Sequence, residues 1–167
     1  EITYGDWSSD VCSSDLSPVA WLERLRSHAV DCVSALTVPT TRDEEWRFTD
    51  ITPLTKIPFQ PVHDVAQLDA ADIDAHVLPE AAARLVFVDG VYAPRLSFNR
   101  SGLVVEDLAQ GLTRHGALVD QHLGRHADFE SSAFAALNTA FLRDGALIVV
   151  PRGVAQAAPV HLLFVAT

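Results

Sequence analysis

Between residues 19 and 36 the apolar positions recur every three or four residues: Val19, Leu22, Leu25, Ala29, Cys32 with Val33, and Leu36. That spacing draws one stripe on a helix, with Glu23, Arg24, Arg26 and Asp31 mostly off it. Ser17 and Pro18 give the helix an N-cap and a first-turn proline, and Pro39 closes it. Thr41-Arg-Asp-Glu44 fits a capping box, in which a hydroxyl and a carboxylate satisfy early amides reciprocally. Trp46 and Phe48 come next as aromatic anchors, and Thr49-Asp-Ile-Thr-Pro53 turns the chain. Pro53, Pro58 and Pro61 make the next stretch an extended connector. Residues 69–83 are rich in Ala and Asp, with weak helical signals interrupted at Pro79.

The period then shortens. Leu85-Val-Phe-Val88, Asp89-Gly90 and Val91-Tyr92 read as a hairpin around a residue pair that tolerates positive φ. Residues 102–105 offer a third short strand, so this small sheet leans on helices for stability. Residues 106–127 are helical in two pieces, split near Gly116 and weakened at Gly124. A further helix starts at Ser131, with Phe134, Leu137, Ala140 and Phe141 marking its buried face, and Asp144-Gly145 turns the chain out of it. Two apolar runs come after it, Ala146–Val150 and Pro159–Thr167, separated by the Pro151-Arg-Gly153 corner. Neither alternates cleanly, which predicts strands covered on both faces. A covered strand with no polar tail after it would leave ladder groups unpaired, so the chain reads as the front of a longer protein. The fold class is α+β: residues 17–144 form a helical region with a β-hairpin sheet, and residues 145–167 begin a core of strands.

Composition narrows the partners. The 167 residues are 49% hydrophobic and 20% charged, which is globular, and carry a formal net charge of −10. Nucleic acid and anionic membrane are disfavoured, because both need clustered Lys and Arg. No apolar run approaches a bilayer span and no secretory signal is visible, so a cytoplasmic location is the default. Residues 1–16, with Ser-Ser-Asp on either side of Val11-Cys12, share nothing with the chain after Ser17. They are similar to peptides produced when a sequencing adapter is translated, and are set aside as non-native.

Candidate chemistry is sparse. Cys12 has no basic neighbours to activate it, and Cys32 lies on or beside the helical stripe, where burial is the plain reading. The charges at Arg42, Asp43, Glu44, Glu45 and Arg47 suit a solvated first turn, and no nucleophile accompanies them. His122 and His126 have the four-residue spacing of helical metal ligands. No Glu lies between them, Gly124 does, and no third ligand has suitable spacing; with His115 they are read as surface or capping histidines. Asn138 and Thr139 are read as hydrogen-bonding groups and His161 as a structural strand residue. Pro151-Arg-Gly153 lacks the Gly-Lys-Ser/Thr of a phosphate loop. No catalytic, cofactor-binding or metal-binding residue is assigned, and the chain is expected not to be an enzyme.

Three segments carry a resemblance. Phe134-Ala-Ala-Leu-Asn-Thr-Ala-Phe-Leu-Arg-Asp-Gly-Ala-Leu-Ile-Val-Val-Pro-Arg-Gly-Val154 with Pro159–Thr167, Arg42-Asp-Glu-Glu-Trp-Arg-Phe-Thr-Asp-Ile-Thr-Pro-Leu54, and Leu85-Val-Phe-Val-Asp-Gly-Val-Tyr-Ala-Pro-Arg-Leu-Ser97 resemble stretches of the SufB/SufD family of the Suf iron–sulfur cluster assembly system, and they stand in that family's order along the chain. Leu78-Pro-Glu-Ala-Ala-Ala-Arg-Leu-Val-Phe-Val-Asp-Gly90 looks more like its SufD branch than its SufB branch. The resemblance implies an N-terminal helical region, a right-handed parallel β-helix core and a C-terminal helical region. It implies a non-enzymatic scaffold acting with SufB-like and SufC-like subunits, SufC being an ATPase. A transient iron–sulfur cluster, and reduced flavin, belong to the full complex. The family's cluster-related residues and SufC contact lie later than residue 167, so none is carried over. The alternatives are a SufB-like paralogue, a carbohydrate-active β-helix enzyme and a generic interaction module.

Overall fold

The computed structural model describes residues 19–59 and 66–167. The chain divides into two compact units: Glu1–Pro61 with Asp120–Leu142, and Val62–Val119 with Arg143–Thr167. The predicted Ser17-Pro18 helix start and the proposed non-native segment 1–16 lie outside the described residues.

The first unit is built on two helices packed on each other, α1 (Ala20–Ala35) and α4 (Ala133–Ala140). Their shared core is Ala29, Phe129, Ala136 and Ala140, flanked by Leu25, Cys32, Val33, Leu36 and Phe141. Alanines at the crossing let the helix backbones approach closely. Two features differ from the sequence expectation. The buried face of α4 is Ala136, Thr139 and Ala140, while Phe134 is exposed and Leu137 only half-buried. The small residues Ala136 and Ala140 of α4 join Ala29 and Phe129 in this core. Arg26, placed off the stripe, is 5% exposed, and its guanidinium donates to the carbonyl of Leu142 just past α4. A buried cation is retained where it satisfies a carbonyl at a chain turn. The first helix otherwise keeps to its stripe, with Leu22 and Ala29 fully buried.

The predicted Thr41–Glu44 capping box does not form: the 3₁₀ turn Glu44–Trp46 has no side-chain cap on its N-cap Asp43, and side-chain bonds instead close the Thr40–Asp43 turn before it. Asp43 Oδ2 accepts from the Thr40 amide at 2.7 Å and Oγ1 at 3.2 Å, and Thr40 Oγ1 accepts from the Arg42 amide. Asp43 reaches back across three residues more readily than Glu44 because its shorter side chain suits a tight turn. Trp46 packs on Phe134 with ring centroids 5.5 Å apart, and Phe48 is 94% exposed.

The second unit is a four-stranded sheet, a two-stranded sheet and their helices. Strand β1 (Ala83–Val88) is central. Along one edge it pairs antiparallel with β2 (Val91–Tyr92) and β3 (Phe98–Asn99), and along the other, over its whole length, it pairs parallel with β6 (Val160–Val165). The hairpin turn is the predicted Asp89-Gly90, both at positive φ (49° and 84°), the geometry that matches strand twist. Both faces of β1 are covered. Ala83, Leu85 and Phe87 join Val105, Tyr92, Leu103, Ala146 and Val160 on one side. Val86 and Val88 join Ile73, Leu96, Leu163 and Val165 on the other. That is why its sequence shows an unbroken apolar run. The short helix α2 (Ala70–Ile73) contributes Ile73, and a capping box between Asp69 and Asp72 starts it.

The predicted third strand forms as β4 (Val104–Asp107) and pairs antiparallel with β5 (Ala146–Val149). Strands therefore form where the sequence expects them after residue 145, but β5 and β6 enter two different sheets and pair with β4 and β1. The last runs are not covered on both faces, contrary to expectation. Leu162 and Phe164 on β6, and Ile148 on β5, are exposed, although β6 pairs along its edge with β1 and packs Val160 on one face and Leu163 and Val165 on the other. Phe164 is 64% exposed although it stacks on Phe87 with ring centroids 5.0 Å apart. Helix α3 (Leu108–His122) breaks at His115 (φ −131°, ψ 28°), beside the expected Gly116.

Candidate functional site

Buried Asp107 and half-buried Asp144 and Tyr92 meet where β2, β4, β5 and the start of α3 come together. Asp144 Oδ2 accepts from the Tyr92 amide at 2.9 Å, and Oδ1 accepts from the Leu108 amide at 3.3 Å and the Gly145 amide at 2.8 Å. Burial is the main reason its carboxyl is pushed above the ordinary value, with Asp107 adding to the shift and the three amides opposing it. Burial likewise raises the Tyr92 phenol. Asp107, itself buried, acts as N-cap of α3: Oδ1 accepts from the Gln110 amide at 3.0 Å and Oδ2 from the Gln110 side-chain amide. Two carboxylates thus satisfy orphan amides at one helix start, where the dipole favours negative charge.

Glu106 points to the opposite side of β4 from Asp107, as successive strand residues do. Its Oε1 accepts from Arg114 Nη1 at 2.7 Å, and its Oε2 lies 3.8 Å from His115 Nε2. The kink at His115 carries the imidazole to this carboxylate. Every one of these groups ties elements together. Asp144 Oδ1 accepts two backbone amides and Oδ2 one, while Glu106 Oε2 is buried without a hydrogen-bond partner. The junction is a clamp, and the sequence signalled it only as an Asp-Gly turn at 144–145. Gly145 has no positive φ among the described residues, so it is the Asp144 carboxylate that organises this bend.

The other candidates are dispersed. Cys12 lies outside the described residues. Cys32 is a free, half-buried thiol in the α1–α4 core. Arg47 stands over the Phe48 ring and pairs loosely with Glu44, both largely exposed, and Arg42 and Glu45 are exposed. Thr139 is buried and donates to the Ala135 carbonyl, while Asn138 is exposed. His161 accepts from the Leu78 amide at 3.5 Å, a strand residue steadying a neighbouring loop. At the Pro151-Arg-Gly153 corner, Gly153 takes φ 82° and the Val154 amide donates to the Pro151 carbonyl, which makes it a turn. The structure does bring His122 and His126 together, with Nδ1 and Nε2 3.4 Å apart. No group of three or more His, Cys, Asp and Glu side chains that could hold a metal ion is found among the described residues. No helix among them is long and apolar enough to cross a membrane.

Comparison with known proteins decides the family. The family described as SufBD protein N-terminal region matches residues 8–162. The chain belongs to the SufBD family. It is 37% identical over 144 residues to the iron–sulfur cluster assembly SufBD family protein slr0076 of Synechocystis, covering 83% of this chain and 31% of that protein. It is 27% identical over 128 residues to the iron–sulfur cluster assembly protein SufD of Escherichia coli, covering 77% of this chain and 28% of SufD. The chain therefore spans about a third of the length of the curated relatives it matches. Within the SufBD sequence, the clamp at Asp144 and the hairpin at Asp89-Gly90 fall in two of the three segments that carry the resemblance, so those segments hold turns and junctions.

Proposed function

We propose that this chain is the N-terminal region of a SufD-like scaffold subunit that assembles iron–sulfur clusters together with SufB-like and SufC-like partners in the cytoplasm. The observation that carries the reading is the match of the SufBD N-terminal region across residues 8–162. The SufD assignment draws on the relative from Escherichia coli and on the Leu78–Gly90 stretch. In this reading the region is not itself an enzyme and supplies no cluster ligand or flavin contact; it folds, docks and orients the scaffold core. Buried Arg26 and half-buried Asp144 hold elements together, which suits a scaffold. Strand β6 would begin a right-handed parallel β-helix: it is laid parallel on β1, and its outward Leu162 and Phe164 offer apolar surface for a next rung. No observation favours the carbohydrate-active reading.

A chimera tests this. The matching N-terminal part of Escherichia coli SufD is replaced by this chain, and the chimera is expressed in a strain lacking SufD. Recovery of iron–sulfur enzyme activity, with SufB and SufC retained on the purified chimera, is the expected result. A chimera that accumulates as a folded protein yet retains neither partner refutes the proposal. The chain alone, reconstituted anaerobically with iron and sulfide, is expected to hold no stoichiometric cluster by absorbance.

A further inference from the structure

Strand β6 pairs parallel with β1 over Val160–Val165, and among the described residues it has no strand partner on its other edge. Backbone groups of successive strand residues point to alternate edges. The Pro159 and Val165 carbonyls accept from the Ala82 and Asp89 amides, so the odd-numbered residues of β6 turn toward β1. The amides and carbonyls of Val160, Leu162 and Phe164 therefore point to the open edge. Their side chains share one face, on which Leu162 is 38% exposed and Phe164 64%. Natural edge strands are guarded by charges, prolines or bulges. Val160-His-Leu-Leu-Phe-Val165 has no Asp, Glu, Lys or Arg and no proline, and it pairs with β1 without a bulge.

That strand is complementary to itself. In antiparallel pairing about a two-fold axis, residues that stand opposite each other point to the same side of the sheet, so only registers of one parity close. With Leu163 facing Leu163 of a second copy, Leu162 of each copy stands opposite Phe164 of the other. These are hydrogen-bonded pairs, because their amides and carbonyls are the outward ones, and each pair exchanges two bonds. The exposed apolar side chains of each strand are thereby covered by their counterparts, as aliphatic–aromatic cross-strand neighbours. The next register of the same parity sets Leu162 against itself and Phe164 against Val160, which already packs on the β1 core, so it covers less.

We propose that the open edge of β6 is a docking site for β6 of a second copy of this chain, joined antiparallel about a two-fold axis into one continuous sheet. The pairing uses up the edge on both copies, so it closes at two copies and does not grow into a fibre. The dimer is weak. A pair of six-residue strands is smaller than a standard interface, and each copy carries a formal net charge of −10, which opposes association. Raised salt screens that repulsion and tightens the dimer. This is the edge on which the scaffold reading lays a next rung; the inference needs only the strand itself and holds whether or not that reading does.

The test uses the 167-residue chain under reducing conditions, followed by sedimentation equilibrium and by amide hydrogen exchange at concentrations up to about 1 mM. A monomer–dimer equilibrium that tightens with salt is expected. The Leu162 and Phe164 amides are expected to gain protection as the dimer forms, while the Leu163 amide, which faces β1, keeps the protection it has in the monomer. Leu162→Glu, at an exposed position, is expected to weaken the dimer by about tenfold or more by setting a carboxylate against Phe164, and to leave the monomer's thermal midpoint near that of the parent. A monomer at every concentration overturns the proposal, as does a dimer in which the Leu162 and Phe164 amides stay unprotected. So does assembly beyond two copies. Full protection of these amides at the lowest concentration shows the edge covered within the chain and overturns it too, and so does unchanged association of a folded Leu162→Glu protein.

Discussion

Replacing Asp144 with Ala removes the acceptor for three backbone amides at once. Two of the bonds are long-range, reaching Tyr92 across 52 residues and Leu108 across 36. The third, to Gly145, is local. A buried amide left without a partner costs about 1–3 kcal/mol, and the lost charge-assisted bonds are at the stronger end. Part of this is offset, because burial already disfavours the carboxylate, as the raised pKa records. The net destabilisation expected is about 2–4 kcal/mol, or roughly 5–10 °C in midpoint for a chain of this size. Far-UV circular dichroism during heating gives the midpoint, and native-state hydrogen exchange gives the locus. The Tyr92 and Leu108 amides are expected to lose protection before those in the centre of β1. The pH dependence has a definite sign. With its carboxyl raised above the ordinary 3.8, the folded state holds a proton that the unfolded chain has released, in the window just above 3.8. Stability therefore falls as pH rises through that window. Asp144→Asn lacks this titration, so wild type should lose ground relative to it between acid pH and neutrality. An Asp144→Ala protein that melts with the wild type and keeps its Tyr92 and Leu108 protection would refute the clamp.

Phe87→Ala should cost about 3–5 kcal/mol, because a fully buried ring between β2 and β6 leaves a cavity, and Phe164 loses its stacking partner; denaturant unfolding measures it. Gly124→Ala and Gly90→Ala separate two effects. Both put a side chain at positive φ, for about 1 kcal/mol or more. At Gly124 the new Cβ also lies 2.7 Å from Leu25 Cδ1, whereas at Gly90 nothing lies within 4 Å. Gly124→Ala should therefore be the more destabilising of the two by urea midpoint, and equal losses would show that the Leu25 contact relaxes freely.

The hairpin was legible in the chain alone because Asp89-Gly90 encodes its own turn: few pairs accept two positive φ values in succession. The α1 stripe and the break near Gly116 were legible for a similar reason, since helical period and glycine act within a few residues. The α4 face was read correctly at Ala140 and Phe141 and wrongly at Phe134 and Leu137. Periodicity says that a face exists, but which side it turns depends on the volume available against Ala29 and Phe129. The Thr41–Glu44 box does not form because Thr40 and Asp43 close a turn one residue earlier, with a shorter reach.

Pairing was beyond the sequence. Nothing local in Ala146–Val149 or Val160–Val165 states that the first joins β4 and the second β1, because strand partners are chosen by long-range packing and register. The buried role of Arg26 and the three amides gathered by Asp144 are of the same kind: each bond closes a gap of 36 residues or more, apart from the local one to Gly145. The histidine pair lies between the two cases. Its four-residue spacing was visible, but a glycine between the two argued against a regular helical site. Only the folded turn, with its left-handed step at Gly124 and its anchor at Phe129, brings the two nitrogens to 3.4 Å. The sequence by itself determined the local elements and the family, because turn chemistry, period and motif order are written in neighbouring residues. The tertiary structure decided which strands pair, which polar groups are buried and which side chains meet, because those depend on groups brought together across the chain.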